Sequence, residues 1–216
     1  MISFNTYLIA YICIYLISFA VYIAIEGINV SYLKKFGQKV SVAFEGMIDE
    51  KKLRRIGRYT EDNIGFKLVQ TSISKIIFLY IIVSVILPWL AESLVRMNVV
   101  FAGLIFFAVI GLVELLMGLP FDYYHSFVIE DRYGFNTKTI KIWISDLIKS
   151  LLVMIVLGGL LLSALLLLLK YTGTNWWVWA WAVFLCFQLL VTVLYPTVIA
   201  PLFNKFIPFE KSNLKN

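Results

Sequence analysis

Five long apolar stretches, almost free of charged residues, constrain this chain more than any other feature of its sequence. A bilayer core about 30 Å thick is crossed by about 20 apolar residues in a helix. Stretches of that length lie at about 4–25, 68–91, 98–119, 150–169 and 176–199, and the only charged side chains inside them are Lys75 and Glu114. Lipid cannot satisfy free backbone groups, whereas a helix satisfies them internally. The sequence therefore predicts an all-α integral membrane protein, with five transmembrane helices and additional cytoplasmic amphipathic helices.

Composition excludes the main alternatives to a membrane protein. Of the 216 residues, 61% are hydrophobic and 15% are charged, whereas soluble domains carry about 25% charged residues. A chain this apolar is neither a soluble globular protein nor a disordered one. Cys13 and Cys186 both lie inside apolar stretches, which excludes a disulfide scaffold. Basic and aromatic residues are not interleaved in a soluble segment, so the expected partner is the lipid bilayer and not nucleic acid.

Lysine and arginine are concentrated on one side of the five spans. Residues 26–67 carry nine of them, residues 120–149 carry four and the tail 200–216 carries three, which is sixteen of the nineteen in the chain. Because basic loops stay in the cytoplasm, we predict an outside N-terminus and a cytoplasmic C-terminus. We interpret residues 1–216 as a single membrane domain with cytoplasmic loops 26–67 and 120–149. The membrane would be a bacterial inner membrane or the endoplasmic reticulum.

The first cytoplasmic loop has the pattern of an amphipathic helix. Apolar residues recur there at roughly helical spacing among basic ones: Phe44, Met47, Ile48, Leu53 and Ile56. The pattern is typical of a helix that lies on an anionic membrane surface. A surface that guides substrate is the alternative interpretation.

The second cytoplasmic loop brings together side chains that can bind metals, namely Asp122, His125, Glu130 and Asp131. A zinc site needs three or four suitable ligands. However, His125 is the only histidine of the chain and this loop has no cysteine. We therefore interpret His125 as a surface or packing residue, and predict no metal ligand in this chain.

Two charged side chains interrupt the apolar spans. Lys75 lies close to the cytoplasmic end of the second span, and its long side chain is expected to reach the interface. Glu114 has a shorter side chain, so we expect it to face a polar cavity or a partner such as Lys75.

Pro196 and Pro201 lie where the fifth span should end. Proline cannot donate a hydrogen bond to the preceding turn, so Pro201 should end the fifth helix or leave a short kinked extension. We expect Leu202, Phe203, Phe206 and Phe209 to lie at the cytoplasmic interface. A frayed tail is the alternative.

Several segments carry a family resemblance: RYTEDNIGF at 58–66, LPFDYYHSFVIEDRYGFN at 119–136, GTNWWVWAW at 173–181 and, most specific, YPTVIAPLFNKFIPFE at 195–210. Together they resemble the N-terminal membrane region of the type I CAAX prenyl endopeptidases, a family of integral-membrane zinc metalloproteases. The resemblance implies part of a helical barrel around a water-filled chamber, which prenylated or membrane peptides enter for cleavage. It leads us to expect Glu114, Glu130, Asn136 and Asn204 to face that chamber.

The chain departs from the family in its catalytic motif. Family members carry H-E-x-x-H, in which two histidines bind zinc and the glutamate activates water. A chain with one histidine cannot hold this motif. The resemblance therefore implies zinc in full-length members but no cofactor in this chain, and no protease activity of this chain alone. It leads us to expect a truncated gene, a split coding sequence or a cut fragment, with a separate catalytic part as a partner.

Two other functions stay open at this stage. One is a non-catalytic membrane scaffold or a binder of isoprenoid peptides. The other is a small transporter subunit, suggested by the five spans and by Glu114.

Overall fold

The computed structural model describes residues 5–36 and 49–204, and their regular structure is helical. The α-helices are α1 (Thr6–Phe36), α2 (Glu50–Val83), α3 (Ile86–Leu94), α4 (Val99–Tyr124), α5 (Ile140–Val153), α6 (Gly159–Tyr171), α7 (Trp176–Leu194) and α8 (Ala200–Phe203). π-Helical segments follow α4, α5 and α7 at His125–Glu130, Met154–Gly158 and Tyr195–Ile199, and a 3₁₀ turn, Gly173–Asn175, precedes α7.

Five helical stretches are long and apolar enough to cross a membrane: Thr6–Phe36, Lys51–Val83, Val99–Glu130, Ile140–Tyr171 and Gly173–Phe203. The predicted all-α membrane class with five transmembrane helices is therefore confirmed. The helices are longer than their apolar cores. The 31 residues of α1 extend about 46 Å at 1.5 Å per residue, well beyond the bilayer core, because a helix can continue into water once its polar residues begin.

The end of the second span differs from the sequence prediction. We expected it to continue to about residue 91, but α2 ends at Val83 and Ser84 adopts an extended backbone. The Ser84 hydroxyl accepts a hydrogen bond of 3.2 Å from the Ile86 amide, and the short helix α3 starts there. Pro88 lies in the first turn of α3, where its missing amide hydrogen costs nothing. The apolar stretch 68–91 is continuous by hydropathy, but the Ser84 cap and Pro88 divide it into the end of α2 and the helix α3.

Other boundaries also move. Pro120 lies inside α4 rather than ending it. The predicted amphipathic helix of the first loop falls partly outside the described residues, at Phe44, Met47 and Ile48, while Leu53 and Ile56 belong to the start of α2. The Asp49 side chain caps that start by accepting a hydrogen bond of 3.3 Å from the Lys51 amide.

Lys75 joins α1 to α2 in the first of two compact units, Met1–Ser93 with Ile110–Thr137. Its ammonium lies 4.9 Å from the ring centre of Tyr15 and 5.8 Å from that of Phe19. The Tyr15 hydroxyl donates a hydrogen bond of 2.9 Å to the Lys75 carbonyl. Cation–π contacts of this kind are worth about 0.5–2 kcal/mol. Lys75 is therefore held by aromatic rings of α1 rather than by Glu114, for which the described residues provide no ion pair.

The second unit, Leu94–Val109 with Lys138–Asn216, is built on the packing of α6 against α7. The chain turns between them at Gly173, whose φ of +59° suits glycine. Helix α8 returns to α5, where the Lys149 ammonium lies 5.8 Å from the ring centre of Phe203. The fifth span thus ends two residues after Pro201, as a short extension that packs on α5. The expected positions of Phe206 and Phe209 lie outside the described residues.

Most apolar side chains of the spans are exposed, which is what a lipid solvent allows. Among the described residues, only Leu90, Ser126, Ile129 and Tyr133 are buried within the protein. Three of these four lie between residues 126 and 133, at the basic end of the third span. The protein interior is therefore concentrated where the chain leaves the membrane.

Gly103 of α4 provides a test of packing in the second unit. A Cβ at this position would lie 2.6 Å from Cδ1 of Leu166 on α6, whereas a Cβ at Gly111 would meet nothing within 4 Å. We expect Gly103→Leu to lower the free energy of unfolding by about 1–3 kcal/mol through overpacking, as measured by thermal unfolding in detergent. Gly111→Leu should be nearly neutral. Leu166→Ala should restore part of the stability of Gly103→Leu, and equal losses for both glycine variants would contradict this packing.

Candidate functional site

A polar cluster joins the start of α2 to the segment that follows α4, within the first unit. Two of the segments that carried the family resemblance, 58–66 and 119–136, contact each other there through hydrogen bonds. We call this group of residues the polar clamp. Its core consists of Arg55, Asp62, Asn63, His125, Arg132 and Tyr133.

The carboxylate of Asp62 lies at the centre of the polar clamp. Its Oδ2 accepts a hydrogen bond of 2.7 Å from the Tyr133 hydroxyl and one of 3.0 Å from Nη1 of Arg132. Tyr133 is 8% exposed, and charge-assisted hydrogen bonds of this kind are the strong ones in proteins. One carboxylate on α2 thus fixes two consecutive residues of the facing segment.

The phenol of Tyr133 is held in its neutral form. Burial raises its pKa above the ordinary value of 10.0, and the hydrogen bond to Asp62 and the charge of that carboxylate raise it further, while Arg132 and Arg58 oppose them. A protonated phenol is the form that donates a hydrogen bond to Asp62. This contribution to stability is complete below pH 10 and is lost as the pH rises through the raised pKa.

Arg55 also contacts the segment that follows α4, at Tyr133 and Phe135. Its Nη2 donates a hydrogen bond to the Tyr133 carbonyl, and its guanidinium lies 5.7 Å from the ring centre of Phe135. The ring of Tyr59 packs edge-on against Tyr133 at 5.2 Å and against Phe135 at 4.8 Å. Gly134 makes the turn between these aromatics with φ +69°, and a Cβ there would lie 3.1 Å from Nη2 of Arg55. Glycine at 134 therefore both permits the turn and leaves room for the arginine.

His125 is a half-buried, hydrogen-bonded residue of the clamp. Its Nε2 lies 2.7 Å from Oδ1 of Asn63, its Nδ1 lies 3.7 Å from Oε1 of Glu130, and its ring packs 5.7 Å from that of Phe66. With Asn63 Oδ1 as the acceptor, Nε2 carries the proton. The geometry matches a packing histidine. Residues 5–36 and 49–204 bring no three His, Cys, Asp or Glu side chains together as a metal site, so the arrangement does not fit zinc.

The four residues expected to face a chamber lie in different places. Glu130 and Asn136 are joined through their backbones, since the backbone N–H of Asn136 donates a hydrogen bond of 3.3 Å to the backbone carbonyl of Glu130. Both side chains are half-buried. Glu114 is exposed on α4. Asn204 is exposed at the end of α8, in the second unit, and its amide donates to the Ala200 carbonyl at 3.0 Å.

Sequence reasoning did not select the α2 half of the clamp. In the sequence, Arg55 is one of several basic residues among the apolar ones of the first loop, and Asp62 and Asn63 belong to no pattern that assigns them a role. The signal that could have found them is an adjacent acid and amide in a strongly basic stretch. The carboxylate and the amide of such a pair need hydrogen-bond partners where the helix approaches the membrane and water becomes scarce.

Comparison with known proteins places the chain in a family. A family model described as the CAAX prenyl protease N-terminal region, with five membrane helices, matches residues 29–205. The fold and the helix count define an integral membrane protein of the all-α class. The chain belongs to the CAAX prenyl protease N-terminal family.

Individual relatives agree with this assignment. The probable CAAX prenyl protease 1 of Schizosaccharomyces pombe is 33% identical over 188 residues, which cover 78% of this chain and 39% of the relative. The CAAX prenyl protease 1 homolog of Homo sapiens is 36% identical over 113 residues, which cover 52% of this chain and 24% of the relative. The crystal structure of S. mikatae Ste24p superposes with a TM-score of 0.83 at 26% identity, covering 93% of this chain and 48% of that one. The chain spans about two-fifths of the length of the CAAX prenyl protease relatives from rice and S. pombe.

The polar clamp predicts a specific pattern of stability losses. Asp62→Asn should lower the free energy of unfolding by about 1–3 kcal/mol, because Tyr133 and Arg132 lose a charged acceptor. Asp131→Asn, the same chemical change at an exposed neighbouring position, serves as the control and should change it by less than about 0.5 kcal/mol. Thermal unfolding in detergent measures both variants.

A double-mutant cycle tests the contact itself. Asp62→Asn and Tyr133→Phe remove the two ends of one hydrogen bond, so their combined loss should be smaller than the sum of the single losses. Strictly additive losses would show that Asp62 and Tyr133 do not interact.

Proposed function

We propose that this chain forms the membrane part of a CAAX prenyl protease-like zinc metalloendopeptidase, and that its helices supply part of the wall of a chamber for prenylated or membrane peptides. The observation that carries the proposal is the family match over residues 29–205. The contact between segments 58–66 and 119–136 supports it, because these segments would define a shared structural unit of such proteases.

Catalysis would require residues that these 216 positions do not supply. The single histidine is hydrogen-bonded to Asn63, and the sequence does not contain the two histidines that H-E-x-x-H requires. When zinc is bound in such enzymes, it activates water for attack on the peptide bond. The role of this chain is then to bind, orient and enclose the peptide, and a catalytic part would act with it.

Polar residues in and near the spans are the candidates for the chamber surface. Glu114 supports this placement, because an exposed carboxylate on an apolar helix is costly against lipid and favourable against water. Glu130 and Asn136 would add a carboxylate and a side-chain amide beyond the end of α4. Asn204 would add an amide at the end of α8. These polar groups could bind the backbone of an extended peptide.

The proposed orientation places the polar clamp in the cytoplasm, in a bacterial inner membrane or the endoplasmic reticulum. Sixteen of nineteen basic residues lie in the segments on that side, and each would be costly to translocate. We expect a reporter that is active only in the cytoplasm to be active when fused after Asn216 and inactive when fused before Met1. The reverse pattern would refute the orientation.

A chimera tests the proposed function. Residues 1–216 joined to the catalytic C-terminal part of the Schizosaccharomyces pombe relative should cleave a farnesylated C-A-A-X peptide in nanodiscs. That C-terminal part expressed alone is the control and should be inactive, because it lacks the membrane part. A correctly inserted chimera without cleavage would contradict the proposal.

A photoreactive farnesylated peptide separates the remaining alternatives. Labelling of this chain without cleavage by the chimera would favour an isoprenoid-peptide binder. The absence of both labelling and cleavage would favour a scaffold or a transporter subunit.

A further inference from the structure

A cavity of about 570 Å³ lies beside the polar clamp, between α2 and the end of α4. Its lining changes character along α2, from Glu61 and Asp62 at one end to Gly65, Phe66 and Val69 at the other. Eight residues of helix separate the two ends, about 12 Å at 1.5 Å per residue. The cavity is therefore polar at its rim and apolar over the rest of its length.

The apolar part is an aromatic slot. The ring of Phe66 stacks on Tyr124 at 5.5 Å and lies 6.1 Å from Phe121, and both facing residues come from the last turns of α4. Val69 remains 55% exposed and Tyr124 45% exposed. The slot thus offers apolar surface that the described part of the protein leaves uncovered.

The rim carries a net positive charge. The carboxylate of Glu61 is 3.0 Å from the ammonium of Lys34, and that of Asp62 is bonded to Arg132, so each acid is already neutralised. Arg58 is exposed and lies one helical turn before Asp62 on α2, at the spacing that places two residues on the same helix face. Three basic residues therefore surround the two carboxylates. A guanidinium has five donors, so Arg132 can bond an anion while it keeps Asp62.

The cavity lies at the boundary between the polar and apolar parts of α2. The charged residues of α2 are frequent up to Lys67, and beyond it only Lys75 interrupts the helix. The rim is therefore level with the headgroups and the slot is level with the start of the acyl chains. The charged rim therefore matches the headgroup of a phospholipid in the same leaflet, and the apolar slot matches its acyl chains.

We propose that this cavity is a binding site for an anionic phospholipid of the leaflet on the basic side of the membrane. The phosphate lies against Lys34, Arg58 and Arg132, and one acyl chain occupies the slot along Phe66 and Val69. The volume is within the range of about 300–1,000 Å³ found for ligand sites. The lipid contacts α1, α2 and α4 together and so stabilises the first unit.

Gly65 allows the slot to be filled without disturbing the protein. A Cβ at Gly65 meets nothing within 4 Å, so the side chain of Gly65→Leu projects into the cavity. The variant is tested in the full chain, delipidated in detergent and titrated with phosphatidylglycerol, by native mass spectrometry of the bound lipid. We expect about tenfold weaker binding, as for the loss of roughly two methylene contacts.

Two controls show whether the effect belongs to the cavity. Gly111→Leu places the same side chain at an open position of α4 outside the cavity and should bind as the unchanged protein does. Gly65→Ala leaves most of the slot empty and should also retain the lipid. Unchanged binding by Gly65→Leu, with its helix content preserved by circular dichroism, overturns the proposal.

The charge of the headgroup is tested separately. Arg58→Gln should reduce the preference for phosphatidylglycerol over phosphatidylcholine by about fivefold, as expected for one basic residue at an anionic site. Lys51→Gln, an exposed position two helical turns farther from the cavity on the same helix, should change it little. Equal effects of both variants indicate attraction to the membrane surface in general and overturn the proposal.

The same titrations exclude other occupants. Equal affinity for phosphatidylcholine and phosphatidylglycerol overturns the assignment of an anionic headgroup. Saturable binding of a farnesylated peptide in the cavity, with no saturable binding of either phospholipid, assigns it to substrate and overturns the lipid proposal.

Discussion

The carboxylate of Asp62 accepts hydrogen bonds from Tyr133 and Arg132, and it thereby joins α2 to the segment that follows α4. In a bilayer, an apolar helix face is no more attracted to a second helix than to lipid tails. Hydropathy therefore leaves the choice of neighbours open. Among the described residues, three of the four buried ones, Ser126, Ile129 and Tyr133, belong to the segment that this carboxylate bonds through Tyr133 and Arg132.

The same reasoning explains the contacts inside the membrane. Lys75 could not remain unpartnered among apolar side chains, and α1 supplies it with the rings of Tyr15 and Phe19. These contacts require no second buried charge. Glu114 is left exposed on α4, which is consistent with a watery surface for that face. Polar residues thus set the positions of α1 and α2, while the apolar residues supply solubility in lipid.

The polar clamp has consequences for function although its residues do not resemble a catalytic centre. It bonds the segment 125–136 to α2, and this segment carries Glu130 and Asn136. The cavity for which we propose a bound phospholipid lies on the adjacent surface and shares Asp62 and Arg132 with the clamp. A lipid bound there would act on the positions of Glu130 and Asn136 through contacts already present in the protein.

The sequence by itself determined the fold class, because stretches of about 20 apolar residues can satisfy their backbone in lipid only as helices. It also indicated the family through segments such as 58–66 and 119–136, and it left the only histidine as a surface or packing residue, between which the contacts with Asn63 and Phe66 decided. The tertiary structure decided where α2 ends, because that end depends on the Ser84 hydroxyl and on Pro88 rather than on hydropathy. It also decided that Asp62 and Asn63 face Tyr133 and His125. Residues about 70 positions apart meet through directional bonds, and no pattern along one helix encodes the partner on another.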